Sequence, residues 1–384
     1  MEIPMTSVAL HHQPKESAMS CNRATQHHPH WARICIVAFA LLFAVTTEAE
    51  PNDATAQDYI ATFSIVARDP TTGDLGIGVQ SKYFAVGSVV PHARAAVGVV
   101  ATQARGNILY GPEGLDLLAA GHPPEQVLEQ LLQDDPLREE RQVGIIDAQG
   151  RTVSYTGSKA LAWAGGSTGK DYAVQGNLLA GPEVVDAMAA AFETAQGDLA
   201  SRLVMALAAG QAAGGDRRGR QSAAILVVRA GGGYMGVSDR YVDLHVEDHP
   251  APIRELRRLL DIRLAQLAVE QCRKVLNEIR KLPAGSDRDQ AAVLARARAE
   301  QALRLHNQSY AAWLALAEAH LWSGDRRGAA AAAQRALILN PTLKRYANRP
   351  ESGLGPDPEV LKRLLTIDAF RRLWDALPPA EATP

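Results

Sequence analysis

The chain has 384 residues, 47% of them hydrophobic, and a formal net charge of −2. That is enough for one sizeable core with a smaller helical module. The near balance of charge excludes a basic nucleic-acid binder and an acidic tail protein, so no nucleic-acid partner is expected.

Residues 1–30 are polar, hold five of the eleven histidines, and lead into an apolar run over 34–45. A run of that length suits the apolar region of a secretory leader and is too short to span a bilayer comfortably. Ala54-Thr55-Ala56 fits a signal peptidase, with Thr47-Glu48-Ala49 as a competing site and Met19 as an alternative start. Residues 1–56 are therefore assigned as leader, and the protein is expected to be exported, periplasmic or extracellular, with no stable membrane span after cleavage. Cys21 and Cys35 lie in the leader, which leaves Cys272 alone and no intramolecular disulfide to form. Cys272 reads as a packed bystander on a helix.

Residues 61–82, ATFSIVARDPTTGDLGIGVQSK, read as a β-hairpin with a threonine at its outer start. Phe63, Ile65 and Ala67 alternate with Thr62, Ser64 and Val66. The turn residues Asp69-Pro70-Thr71-Thr72-Gly73 follow, and Leu75, Ile77 and Val79 resume the period of two. A third strand over 96–101 is glycine-rich and free of charge, which suits burial on both faces. Helices are predicted over 112–120 and 124–133, each opening on a proline, a residue favoured at the first helical position. A second hairpin pairs 142–147 with 152–156, and helices over 182–194 and 199–213 precede strands over 222–228 and around 241–246. Strands, then helix pairs, then strands again argue for an α+β fold, with two layers of mixed or antiparallel sheet flanked by helices.

His249-Pro250-Ala251-Pro252 interrupts any regular element and separates a body, assigned to 57–262, from a helical tail over 263–384. In the tail, Trp313, Leu316, Ala317, His320, Gly324, Ala329, Ala333, Ala336 and Pro341 match the large and small positions of one tetratricopeptide repeat at about 307–341. A single repeat cannot bury its own face, so 290–305 and 358–377 are expected as packing partners. The tail then serves as a helical lid stabilising the body or as a groove for a peptide or protein partner; a homo-oligomer is a separate expectation for the chain.

The chemistry-bearing residues cluster at strand ends and loops. Thr62, if it becomes the first residue, can use its own α-amine as general base for its hydroxyl. Without that freedom it is a strand residue. Gln103 and Asn107, past the end of the third strand, can donate to an oxyanion or hold a substrate amide. Ser81 and Lys82 end the second hairpin strand, where a lysine assists a nucleophile or simply decorates an edge. The loop 214–222 carries three arginines that can clamp a carboxylate or phosphate, and Asp216, Arg217 and Arg220 are taken as its binding residues. Two motifs fail. Residues 164–171 imitate a phosphate loop, but the first glycine is alanine and the magnesium-binding hydroxyl position is Asp171. Asp243, His245 and Glu247 share one face of a strand and read as its water-facing side rather than as zinc ligands, so no metal is assigned.

The segments TFSIVARDPTTGDLGIGVQSK, FAVGSVVPHARAAVGVVATQARGN, YGPEGLDLLAAGHPPEQVL, RQVGIIDAQG, AVQGNLLAGPEVVDAM, AAGGDRRGRQSAAILVV and VDLHVEDHPAPIREL, in order from 62 to about 260, resemble the domain of unknown function 1028 family. That family is assigned to the N-terminal-nucleophile (Ntn) hydrolase superfamily. The resemblance implies a four-layer αββα sandwich, followed here by the all-α tetratricopeptide-like tail, and gives Thr62 the nucleophile's role on a small-molecule or peptide amide. Lys82 then assists electrostatically, Asn107 or Asn177 is the oxyanion donor, and no cofactor is implied. In members lacking a leader the matching threonine directly follows the initiator methionine. Here Gln57-Asp58-Tyr59-Ile60-Ala61 precedes it, and Tyr59 is too large for the −3 position of a signal-peptidase site, so a second cut at Ala61–Thr62 is required. Without that cut, the alternative is a non-catalytic envelope scaffold that recruits a partner through its tail.

Overall fold

In the computed structural model the described residues are 61–347 and 356–377. The expected leader, its cleavage sites, Met19, Cys21 and Cys35 lie outside them.

The opening hairpin forms as its pattern predicts. Strand β1 (Thr62–Arg68) pairs antiparallel with β2 (Leu75–Ser81), with Thr62 opposite Ser81. Asp69 closes the turn by accepting the amide of Thr71, and Gly73 takes the positive φ of 76° that a side chain would resist. The glycine-rich third strand is β4 (Gly98–Ala104), buried throughout as expected but starting later than predicted. Ala96, at φ 59°, is in the turn after a short strand not foreseen, β3 (Pro91–Arg94). Helix α1 (Tyr110–Ala119) begins ahead of Pro112, while α2 (Pro124–Gln133) opens on its proline. β5 (Arg141–Asp147) and β6 (Thr152–Thr156) form the second hairpin. The failed phosphate loop is itself a hairpin, β7 (Gly165–Gly169) and β8 (Tyr172–Gly176), with Asp171 at φ 63° in its turn. Helices α3 (Glu183–Thr194) and α4 (Leu199–Ala212) lead to β9 (Ser222–Val228) and β10 (Arg240–Val246).

The strands make two antiparallel sheets, one in the order β10-β9-β2-β1-β8-β7 and the other β3-β4-β5-β6. Period-two alternation sorts their side chains into three apolar interfaces. Phe63, Ile65 and Ala67 pack with Val184, Met188, Leu203 and Leu207 of α3 and α4. Val66, Ile77 and Val79, on the other face, meet Val99, Ala101 and Ile146 of the second sheet. Val100, Val143 and Ile145 continue outward to Leu115, Leu118, Val127 and Leu131 of α1 and α2.

Helix α5 (Pro252–Ile279) begins at the predicted proline cluster and runs unbroken past residue 262. Its first turns bury Ile253, Leu256 and Leu260 with Val242 and Val246 of β10, and its last turns bury Cys272, Leu276 and Ile279 among the tail helices. The tail continues through α6 (Ser286–Leu305), α7 (Tyr310–Trp322), α8 (Arg326–Leu339), α9 (Leu343–Ala347), α10 (Pro358–Leu365) and α11 (Asp368–Ala376). Ser309 and Asp325 cap α7 and α8 by accepting the amides of Ala312 and Gly328. Ala317, Ala329 and Ala336 are fully buried, which is what close approach of two helices requires. Cys272 is equally buried; burial first, then the nearby Glu318 charge, push its thiol up to about 12, so it stays protonated and unreactive. No helix among the described residues is long and apolar enough to cross a membrane.

Candidate active site

Thr62, first residue of β1, faces the gap between the two sheets and is fully buried. Its hydroxyl donates to Ser81 Oγ at 3.1 Å across the hairpin. Ser81 Oγ donates in turn to the carbonyl oxygen of Ala61 at 2.5 Å. A second donor reaches the same oxygen, Arg218 Nη2 at 2.9 Å. The carbonyl of the residue before Thr62 is thus held by a hydroxyl and a guanidinium.

Backbone pairing explains how Arg218 arrives there. Leu179 and Asp216 form an isolated antiparallel bridge, and the amides of Ala180 and Arg217 donate to Gly215 and Leu178. Gly214 and Gly215, at φ 121° and 61°, turn the chain out of α4 and into that bridge. Asp216 is 3% exposed; its carboxylate takes two bonds from the Arg218 guanidinium and one from the Lys82 amide at 3.0 Å. The fork of Arg218 is therefore fixed by a buried partner before it touches Ala61.

Behind Thr62 lies a polar relay of fully buried side chains, Ser64, Gln103, Gln142, Gln175 and Asn177. Its directions follow from one fixed point. Gln142 Nε2 lies 2.8 Å from the carbonyl oxygen of Gly176 and 3.2 Å from that of Gly165, so the nitrogen must face those acceptors. Gln142 Oε1 then accepts from Asn177 Nδ2 at 3.0 Å and Gln103 Nε2 at 2.8 Å. Gln103 Oε1 accepts from Ser64, and Ser64 from Gln175 Nε2, each at 2.7 Å. Asn177 Oδ1 and Gln175 Oε1 are left as buried acceptors without a partner among the described residues. Asn177 also touches Thr62 directly, its backbone N–H donating to the Thr62 carbonyl at 3.0 Å.

Of the residues named from sequence, Thr62, Ser81, Gln103 and Asn177 come together, with Asp216 one step behind. Lys82 is exposed, and its ammonium makes no ion pair with any described residue. Asn107 lies beyond Thr102, on the helix side of β4; its amide and carbonyl bond Thr102 Oγ1, and its side chain accepts the Leu109 amide at 3.2 Å. Arg217 is exposed and reaches only the Ala162 carbonyl, at 3.4 Å. Arg220 lines a separate groove on α4. Asp243, His245 and Glu247 occupy one another, with His245 Nε2 3.0 Å from Asp243 and Nδ1 3.4 Å from Glu247. The Asp243 hydrogen bond raises the His245 pKa, against the opposing effect of burial.

Sequence reasoning did not single out Arg218, Ser64, Gln142 or Gln175. A signal existed for Gln142, which like Gln103 occupies the inward register of an apolar strand near the end where Thr62 sits, and Gln175 completes the pattern once β8 is in place. Polar side chains in that register on three strands of two sheets mark a buried polar layer.

The profile of a family described as "Family of unknown function (DUF1028)" matches residues 62–256. A crystal structure of a protein from Silicibacter pomeroyi, assigned to the same family, is similar to the chain at 32% sequence identity, with a TM-score of 0.48 over 52% of this chain and 84% of that one. Among curated proteins none matches.

Proposed function

The chain belongs to the family of unknown function DUF1028, and from that premise we propose an exported Ntn-type amidohydrolase that frees its own nucleophile by cutting the Ala61–Thr62 bond. Two sheets between helix pairs support an αββα sandwich of that type, and the capped pair α7 and α8 supports a tetratricopeptide unit. One observation carries the reading. The Ala61 carbonyl accepts from Ser81 and Arg218 while the Thr62 hydroxyl donates to that same serine.

In the cut, Thr62 Oγ1 attacks the Ala61 carbonyl carbon. Its proton passes to Ser81 Oγ, which hands its own proton to the carbonyl oxygen, so the tetrahedral intermediate forms without separating charge. Arg218 stabilises the negative charge that builds on that oxygen before the serine proton reaches it. The C–N bond then breaks as the Thr62 nitrogen takes up the proton, leaving an ester between Ala61 and Thr62 Oγ1. Water hydrolyses the ester to an Ala61 carboxylate and a free α-amine on Thr62.

In turnover the amine is the base for Thr62 Oγ1, since a reference pKa near 8 leaves part of it neutral at pH ~7. Ser81 and Arg218, once released by Ala61, hold the carbonyl oxygen of a small-molecule or peptide amide. The electrostatic part first given to Lys82 passes to Arg218. Asn177 changes role as well: its Nδ2 is committed to Gln142, so its free Oδ1 accepts an N–H of the new amine instead of donating to an oxyanion. None of these steps calls on a cofactor. The tail is read as the surface for a protein partner.

A β-lactone electrophile tests the nucleophile. It is expected to acylate Thr62, located by peptide mass spectrometry, and to leave Thr62→Ala unlabelled. A folded chain beginning at Thr62 that takes no label there contradicts the proposal.

A further inference from the structure

Away from Thr62, on the helix side of the first sheet, the exposed flank of α4 and the start of α5 enclose a groove of about 360 Å³. That lies within the range of roughly 300–1,000 Å³ in which small-molecule sites fall. Its floor is apolar, made by Val204, Met205, Pro252 and Ile253, and Met205 remains 40% exposed on it. Arg220, Arg254 and Arg257 line it and no acidic side chain does. Arg257 is engaged with Asp261 at 3.0 Å, while Arg220 and Arg254 form no ion pair with any described residue. Gln211 is the one uncharged polar side chain in the lining.

We propose that this groove binds a free medium-chain carboxylate, its acyl chain along the apolar floor and its head on Arg220 and Arg254. Charge complementarity selects the class: an apolar trough with unpaired guanidiniums favours an anionic amphiphile over a neutral or cationic one. The site is independent of the hydrolase reading, because its residues face away from the gap that holds Thr62.

Titration calorimetry of the full chain with decanoate, kept below its micelle concentration, tests it. One saturable site is expected, with decylamine giving no heat. Arg220→Ala/Arg254→Ala should weaken binding roughly tenfold or more, the loss of charge-assisted bonds. Ala208→Trp, at an exposed position in the lining, should block the groove in a chain whose circular dichroism is unchanged. Thr62→Ala should bind decanoate as the parent does, which separates failure of this site from failure of the hydrolase. Absence of decanoate heat, equal binding of decylamine, or unchanged affinity in the double variant or in folded Ala208→Trp overturns the proposal.

Discussion

In the proposed cut Arg218 carries the most weight, because it is the only charged donor on the Ala61 carbonyl among the described residues, and Asp216 fixes its geometry. Replacing it by methionine keeps much of the apolar stem and removes the donor. Arg218→Met is therefore expected to slow release of a chain beginning at Thr62 by roughly 10²–10³-fold, the usual cost of losing an oxyanion donor, followed as a time course of intact mass. A second residue makes a pH prediction. His245 is held above its ordinary 6.5 first by its hydrogen bond to Asp243, with burial opposing. A raised folded-state pKa contributes stability that is full below the unfolded value and is lost as pH rises through the folded one. The stability difference between the parent and His245→Gln should therefore shrink as the pH of denaturant melts is raised from 6 towards 8. A constant difference would contradict it.

At the scale of elements, the relay needs a strand that makes room for it. Gly144 of β5 faces Gln175 of β8 across the gap, and a Cβ there would come within 2.3 Å of Gln175 Oε1. Gln175 is fully buried and its Nε2 is tied to Ser64 Oγ at 2.7 Å, so Gly144→Val should cost roughly 1–3 kcal/mol in equilibrium unfolding, the range for overpacking a filled interior. The same pair of strands shows how much was legible in the sequence. β1, β2, β5 and β9 announce themselves by alternation or by dense β-branched runs, and α2 by its proline. β7 and β8 do not, because Gly165-Gly166-Ser167-Thr168-Gly169 has no apolar face and pairs as a strand only at the edge beside β8. With β8 unseen, Gln175 had no place. Asn177 was named for its chemistry rather than for its contact with Thr62. Arg218 was hidden for a different reason. In a loop with three arginines, only the pairing of Asp216 with Leu179 decides which one turns inward.

Across the described residues, α5 is the shared part: its first turns complete the core against β10 and its last turns pack among the tail helices. Leu260 is fully buried in the first of these clusters, so Leu260→Ala should destabilise the body by roughly 2–5 kcal/mol. A chain ending at 248 should lose the cooperative melt that one ending at 269 retains. The body thus depends on a helix that the proline cluster at 249–252 separates from it in sequence. What the framework is proposed to deliver is one broken bond. N-terminal mapping by intact mass and Edman sequencing, on the parent and Thr62→Ala produced side by side, tests this most directly. The account predicts a parent chain that begins at Thr62 and a Thr62→Ala chain that still carries Ala61. A folded parent with full amidase activity that retains Ala61 would contradict it.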